Sequence, residues 1–244
     1  MSEAAAEAAG GERLGAPERR SGLVAAARAN LGPGLALTAF AIAVLLGYEL
    51  WPPMRAALQR LAGWRAEQPL PVALGFAALT TTLAGAVLPA AVQRLRPSAP
   101  SESPGAFLYL LLFWAVVGLQ VDLLYRGLDG LLGDGRGPAI VAGKVFLDMF
   151  VYCPLWAMPE TVAVYGFKDA GFSWSRFRRR HAGRGWYRRE VFPLLCSCWA
   201  VWIPAVCVIY LLPLPLQLPM QNIVLAFWCL MLGLLAAPEP EDAA

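Results

Sequence analysis

Six runs of mostly apolar residues, at 34–51, 70–92, 106–124, 140–166, 191–212 and 217–236, leave this chain few ways to fold. A helix needs about 20 such residues to cross the hydrocarbon core of a bilayer. The first run is short by that measure and the other five are near it. In lipid every backbone N–H and C=O must find a partner inside the chain, and a helix supplies those partners locally. A water-soluble bundle would instead need a polar stripe on each helix, which these runs lack. Composition agrees, with 58% hydrophobic and 15% charged residues, against about 25% charged in a soluble domain. The sequence therefore predicts an all-α, polytopic transmembrane bundle of about six spans. The last two are separated only by Pro213 to Pro219, a tight turn or a broken helix.

Residues 1–33 read as a disordered tail with a short helix at Leu23–Ala29, because they hold few large apolar groups. Glu3, Glu7, Glu12 and Glu18 argue against a signal peptide or a mitochondrial transit peptide. Residues 34–68 read as a first span and its loop, and 238–244 as an acidic tail. If the N-terminal tail is cytoplasmic, fourteen Lys and Arg residues lie on that side and five on the other. That bias follows the positive-inside rule and predicts both termini inside. Most of the charge sits in the 167–190 loop, with Arg178, Arg179, Arg180, Arg188 and Arg189. This loop is either a topology signal or a surface for anionic lipid or a partner protein. Trp51, Trp64, Trp174 and Trp186 fall at span ends, where aromatic belts form.

Charges within apolar runs are costly unless paired or turned to a polar interior. Lys144 and Asp148 stand four residues apart, so one helix face presents both. Asp122 and Asp129 form a second set around Tyr125 and Arg126. Glu160 lies in a long run containing Pro154 and Pro159, which should kink or interrupt the helix. Two readings stand for these groups. Asp122, Lys144, Asp148 and Glu160 form a polar pathway or pocket, or Lys144 and Asp148 form an ion pair that fixes helix packing.

Catalytic chemistry has little to stand on. The single histidine, His181, lies outside the spans, so Ser197 and the five cysteines lack a base nearby in sequence. No Cys/His spacing suits zinc, and Gly133 to Gly137 lacks the ending of a phosphate loop. The expectation is no enzyme, no metal and no cofactor. Nucleic acid is not an expected partner, since only the basic loop favours it. The lipid bilayer is the expected partner, with anionic lipids or a second copy of the chain as further candidates.

Several pieces of the sequence occur in the order seen in one known family. Gly118 opens a segment ending Tyr125-Arg126-Gly127-Leu128-Asp129. Lys144-Val145-Phe146-Leu147-Asp148 and Pro154 follow. Then come Trp199-Ala200-Val201-Trp202-Ile203-Pro204, Tyr210, Pro213 and Trp228. In these residues the chain resembles the Mpv-17/PMP-22 family, named after a peroxisomal membrane protein. It departs from the family pattern at Leu124, Met149, Ile209 and Gln217. The resemblance covers residues 69–237 and makes 34–51 an extra helix. It implies an integral protein of a bacterial inner membrane or of a mitochondrial inner or peroxisomal membrane. It also implies channel-like passage of small solutes or a role in membrane homeostasis, with no catalytic activity. The family-motif residues carried over are Tyr125, Asp129, Lys144, Asp148, Pro154, Trp202 and Pro213.

Overall fold

The structure is a computed structural model and describes residues 16–94, 102–181, 183 and 185–235. Among the described residues there is no strand, as expected of an all-α bundle. The helices are α1 (Ala16–Leu50), α2 (Pro52–Glu67), α3 (Leu70–Arg94) and α4 (Pro104–Leu132), then α5 (Pro138–Asp169), α6 (Trp174–His181), α7 (Tyr187–Ile209) and α8 (Leu214–Leu235). Residues 1–15 and the acidic segment 238–244 lie outside the described residues.

Two expectations change. Residues 16–33 continue helix α1 where a disordered tail was expected, in keeping with the low cost of extending a helix that already exists. The 52–67 stretch, expected as a loop, is helix α2, set at 99° to the residues of α1 from Gly34 onward. Pro52 and Pro53 explain the corner. They occupy the first positions of α2, where a missing N–H costs nothing, and they would disrupt α1 if it ran on. Helices α3, α4, α5 and α7 are each long and apolar enough to cross a membrane, and the α1–α2 pair makes a fifth crossing if counted as one. Leu214–Leu230 is apolar but shorter. The six expected crossings are therefore not all counted by length and composition.

The exposed surface is apolar where a soluble protein would be polar. Leu79 and Leu112 are 61% exposed and Leu155 is 73% exposed, on three different helices. Such a belt belongs against lipid. With lipid outside, close packing rather than hydrophobic burial must bring helices together. Small residues make this contact between α3 and α4. Ala73, Ala77 and Thr81 form a buried stripe at four-residue spacing, and a Cβ on Gly118 would lie 2.4 Å from the Ala77 carbonyl oxygen. Between α1 and α7, Leu37 and Ala41 are buried with Val201 and Ala205 in one core. Helix α8 is held to α3 by polar groups as well. Thr81 donates to Asn222 Oδ1 at 2.9 Å, and Asn222 Nδ2 donates to Thr80 Oγ1 at 2.9 Å.

The prolines of α5 do not break it. Leu147–Ala157 winds in wide, π-type turns with Pro154 inside, and an ordinary α-helix resumes at Met158. In this winding each carbonyl bonds the N–H five residues ahead. Pro154 and Pro159 lack that N–H, so the carbonyls of Met149 and Pro154 are the ones left over. Helix α7 supplies the replacements. Trp199 Nε1 donates to the Met149 carbonyl at 2.7 Å, and Tyr187 OH donates to the Pro154 carbonyl at 2.9 Å. Both proline defects are thereby closed by side chains from one neighbouring helix.

Candidate functional site

The charged groups of the spans divide into two sets. One set is ion-paired on the face of the bundle opposite the basic loop. Asp122 on α4 is buried and holds Arg65 of α2 and Arg126 of its own helix, each at 2.7 Å. Arg65 also donates to the Pro215 carbonyl and lies 5.0 Å from the centre of the Phe76 ring. Lys144 is buried and pairs with Asp129 at 2.9 Å. Toward solvent, Glu49 contacts Arg136 at 2.8 Å and Arg55 at 3.6 Å.

The same-helix pairing of Lys144 with Asp148 does not form. The α4–α5 hairpin turns over residues 133–137 and sets Asp129 beside Lys144. Asp148 instead accepts a hydrogen bond from Tyr210 OH at 2.7 Å.

The second set lines a cavity of about 890 Å³ enclosed by α3, α4, α5, α7 and α8. Asp148 and Glu160 both border it, whereas Asp122 and Lys144 do not. At the inner end stand Asp148, Tyr125, Cys153, Cys198 and Trp202. Tyr125 packs edge to face against Tyr210 at 5.5 Å between ring centres, behind Asp148. Further along, Tyr152 OH donates to Gln120 Oε1 at 3.3 Å, and Gln120 Nε2 donates to Glu160 Oε1 at 3.0 Å. Trp114 Nε1 donates to Tyr165 OH at 3.3 Å. Trp114 lies so close over Gly85 that a Cβ there would meet its ring at 2.3 Å, so glycine is needed to keep this wall in place. Lining residues run from Asp148 to Asp169 along α5, on the order of 30 Å at ordinary helical rise.

The far end lies at the basic segment. Arg180, His181, Arg189 and Glu190 border the cavity there, and His181 Nδ1 stands 2.5 Å from Glu190 Oε2. Arg180 and Arg189 thus serve the mouth of the cavity as well as the surface. Arg178, Arg179 and Arg188 are exposed.

The family-motif residues divide in the same way. Tyr125 and Trp202 line the cavity, Asp129 pairs with Lys144, and Pro154 gives its carbonyl to Tyr187. Pro213 stands in the α7–α8 turn, where its carbonyl accepts from the Leu216 N–H at 2.8 Å. Sequence reasoning passed over Arg65, Gln120, Tyr152, Tyr165 and Gln221. The two glutamines had a legible signal, an amide within an apolar run. Arg65 had none, since it lies in a segment rich in polar residues. Cys153 and Cys198 bring their sulfurs to 3.8 Å as free thiols. Among the described residues no three His, Cys, Asp or Glu side chains converge on a metal position. No family model matches the chain, and comparison with curated proteins and with solved structures returns no match.

Proposed function

We propose that this integral membrane protein is a channel-like carrier of small solutes, which enter from the basic face and reach Asp148. The observation that carries this reading is the cavity itself, which runs along α5 between the exposed arginines and a buried carboxylate. Its inner end stops at the Tyr125–Tyr210 contact, and the Lys144–Asp129 pair lies on the opposite face. Passage would require that layer to part, so the conformation described is a closed one. Channel-like passage is also what the resemblance to the Mpv-17/PMP-22 family implies, and family membership stays part of the proposal. So do the six-span count, the cytoplasmic termini and the choice among bacterial inner, mitochondrial inner and peroxisomal membranes. A reporter joined after Ala244 should report from the cytoplasmic side.

The test is flux. Purified protein in liposomes should release trapped small solutes, and Asp148→Asn should slow the release. No release of any small solute at high protein density would overturn the proposal.

A second reading is favoured by one observation. Trp174 is 60% exposed beside the exposed Arg178 and Arg179, the composition of a segment that rests among lipid headgroups. In this reading the protein is a structural or assembly factor whose 167–190 region docks anionic lipid. Replacing Arg178, Arg179 and Arg188 by Gln should then strip co-purifying anionic lipid and leave flux unchanged. Lipid content equal to that of the native protein would count against it.

A further inference from the structure

We propose that the cavity binds an organic ammonium ion, a protonated amine on an apolar body, with its nitrogen at Asp148 and its body along the walls that Glu160 and Gln221 share. This rests on the reading of the cavity as a solute site and names the chemistry of the solute.

Charge gives the sign. Four carboxylates border the cavity, Asp148, Glu160, Asp169 and Glu190, against two arginines. Both arginines come from the segment at the mouth. Among the described residues no basic side chain forms an ion pair with Asp148 or Glu160, whose hydrogen bonds come from neutral groups, Tyr210 and Gln120. Every other carboxylate placed deep in the bundle has a cation: Asp122 has two and Asp129 has Lys144. Carboxylates held within a membrane bundle without a cation are costly, and a positively charged ligand relieves that cost.

Gln221 gives an independent indication. It is 6% exposed and lines the cavity, and among the described residues its buried Oε1 has no hydrogen-bond donor. Buried acceptors are nearly always satisfied, so this one calls for an N–H or O–H from a ligand. Asp148, Glu160 and the Gln221 carbonyl are all acceptors. A ligand complementary to them must donate, which a protonated amine does and an anion does not.

The walls decide against a bare ion. Tyr125, Tyr152, Tyr165, Trp114, Trp202 and Trp228 face the cavity. Aromatic faces attract organic cations and pack against apolar bodies. A hydrated metal ion would gain little from them. The volume of about 890 Å³ falls within the range of roughly 300–1,000 Å³ seen for small-molecule sites.

The test is calorimetric titration of the full chain in nanodiscs, with empty nanodiscs subtracted. Three probes share a phenylethyl or phenylmethyl body: phenethylammonium, neutral 2-phenylethanol and anionic phenylacetate. Saturable binding of phenethylammonium at one per chain is expected, with weaker or no binding of the other two. Asp148→Asn should weaken it about tenfold, the loss expected when a charge-assisted hydrogen bond is removed, and Glu160→Gln and Gln221→Leu should weaken it less. Size-exclusion profile and helical circular dichroism establish that each variant is folded, and three separate variants guard against one that is not. Equal binding of the alcohol and the ammonium, preference for the anion, or no ammonium binding by native protein would each overturn the proposal. So would native affinity in all three folded variants. Liposome flux separates the two readings. Release of neutral solutes without ammonium binding removes this inference and leaves passage standing. Ammonium binding without release of any solute removes passage and leaves the site.

Discussion

The two faces of the bundle treat the same side chains in opposite ways. Asp122 and Asp129 are neutralised by Arg65, Arg126 and Lys144. Asp148 and Glu160, one helix away, receive among the described residues a phenol and an amide and border open space. A carboxylate enclosed with its cation acts as a fastener, because either partner left alone in a dry site is strongly unfavourable. A carboxylate enclosed without a cation adds little to packing and is available to a ligand. Paired and unpaired acids therefore separate the part that holds the helices from the part that borders the cavity.

The largest effect should come from the fastened face. Asp122→Ala strands Arg65 and Arg126 together and should cost about 3–5 kcal/mol, the usual range for breaking a buried pair. Denaturant unfolding of the purified protein measures it, and a cost near zero would erase the distinction between the faces. Lys144→Asp should be nearly as damaging by the same reasoning. The double change Lys144→Asp with Asp129→Lys should recover much of the loss, whereas Lys144→Asp with Asp148→Lys should not. Rescue by the second combination would restore the same-helix pair that the structure rejects.

Smaller effects sharpen the contrast. Trp199→Phe leaves the Met149 carbonyl without a donor and should cost about 1–3 kcal/mol. Asp148→Asn keeps an acceptor for Tyr210, so its stability cost should be about 1 kcal/mol or less, read on the same unfolding curves. Its effect belongs in flux and in ammonium affinity. The least should come from Arg178→Gln with Arg179→Gln, both exposed, at about 0.5 kcal/mol or below.

Legibility followed the range of the interaction. Asp148 and Glu160 were recognisable in the sequence because charge within an apolar run is costly wherever the run folds. Pro154 and Pro159 were recognisable as defects for a similar local reason. Their repair was not, since Trp199 and Tyr187 lie on another helix. Arg65 was unreadable because burying it depends on the corner at Trp51, which carries α2 back to Asp122. The Lys144–Asp148 pairing failed for the same kind of reason. A four-residue spacing permits contact without choosing it, and Asp129 across the 133–137 turn and Tyr210 at the end of α7 take the two groups instead.

By itself the sequence determined that this chain is helical and lives in lipid. Apolar length and a backbone that must satisfy its own hydrogen bonds leave no other solution. It also determined which polar groups would be out of place there. Only the tertiary structure decided which of those groups are neutralised and which are left facing a cavity. The pairs of Arg65 with Asp122 and of Lys144 with Asp129 join different helices, and the turn at 133–137 and the corner at Trp51 choose these partners.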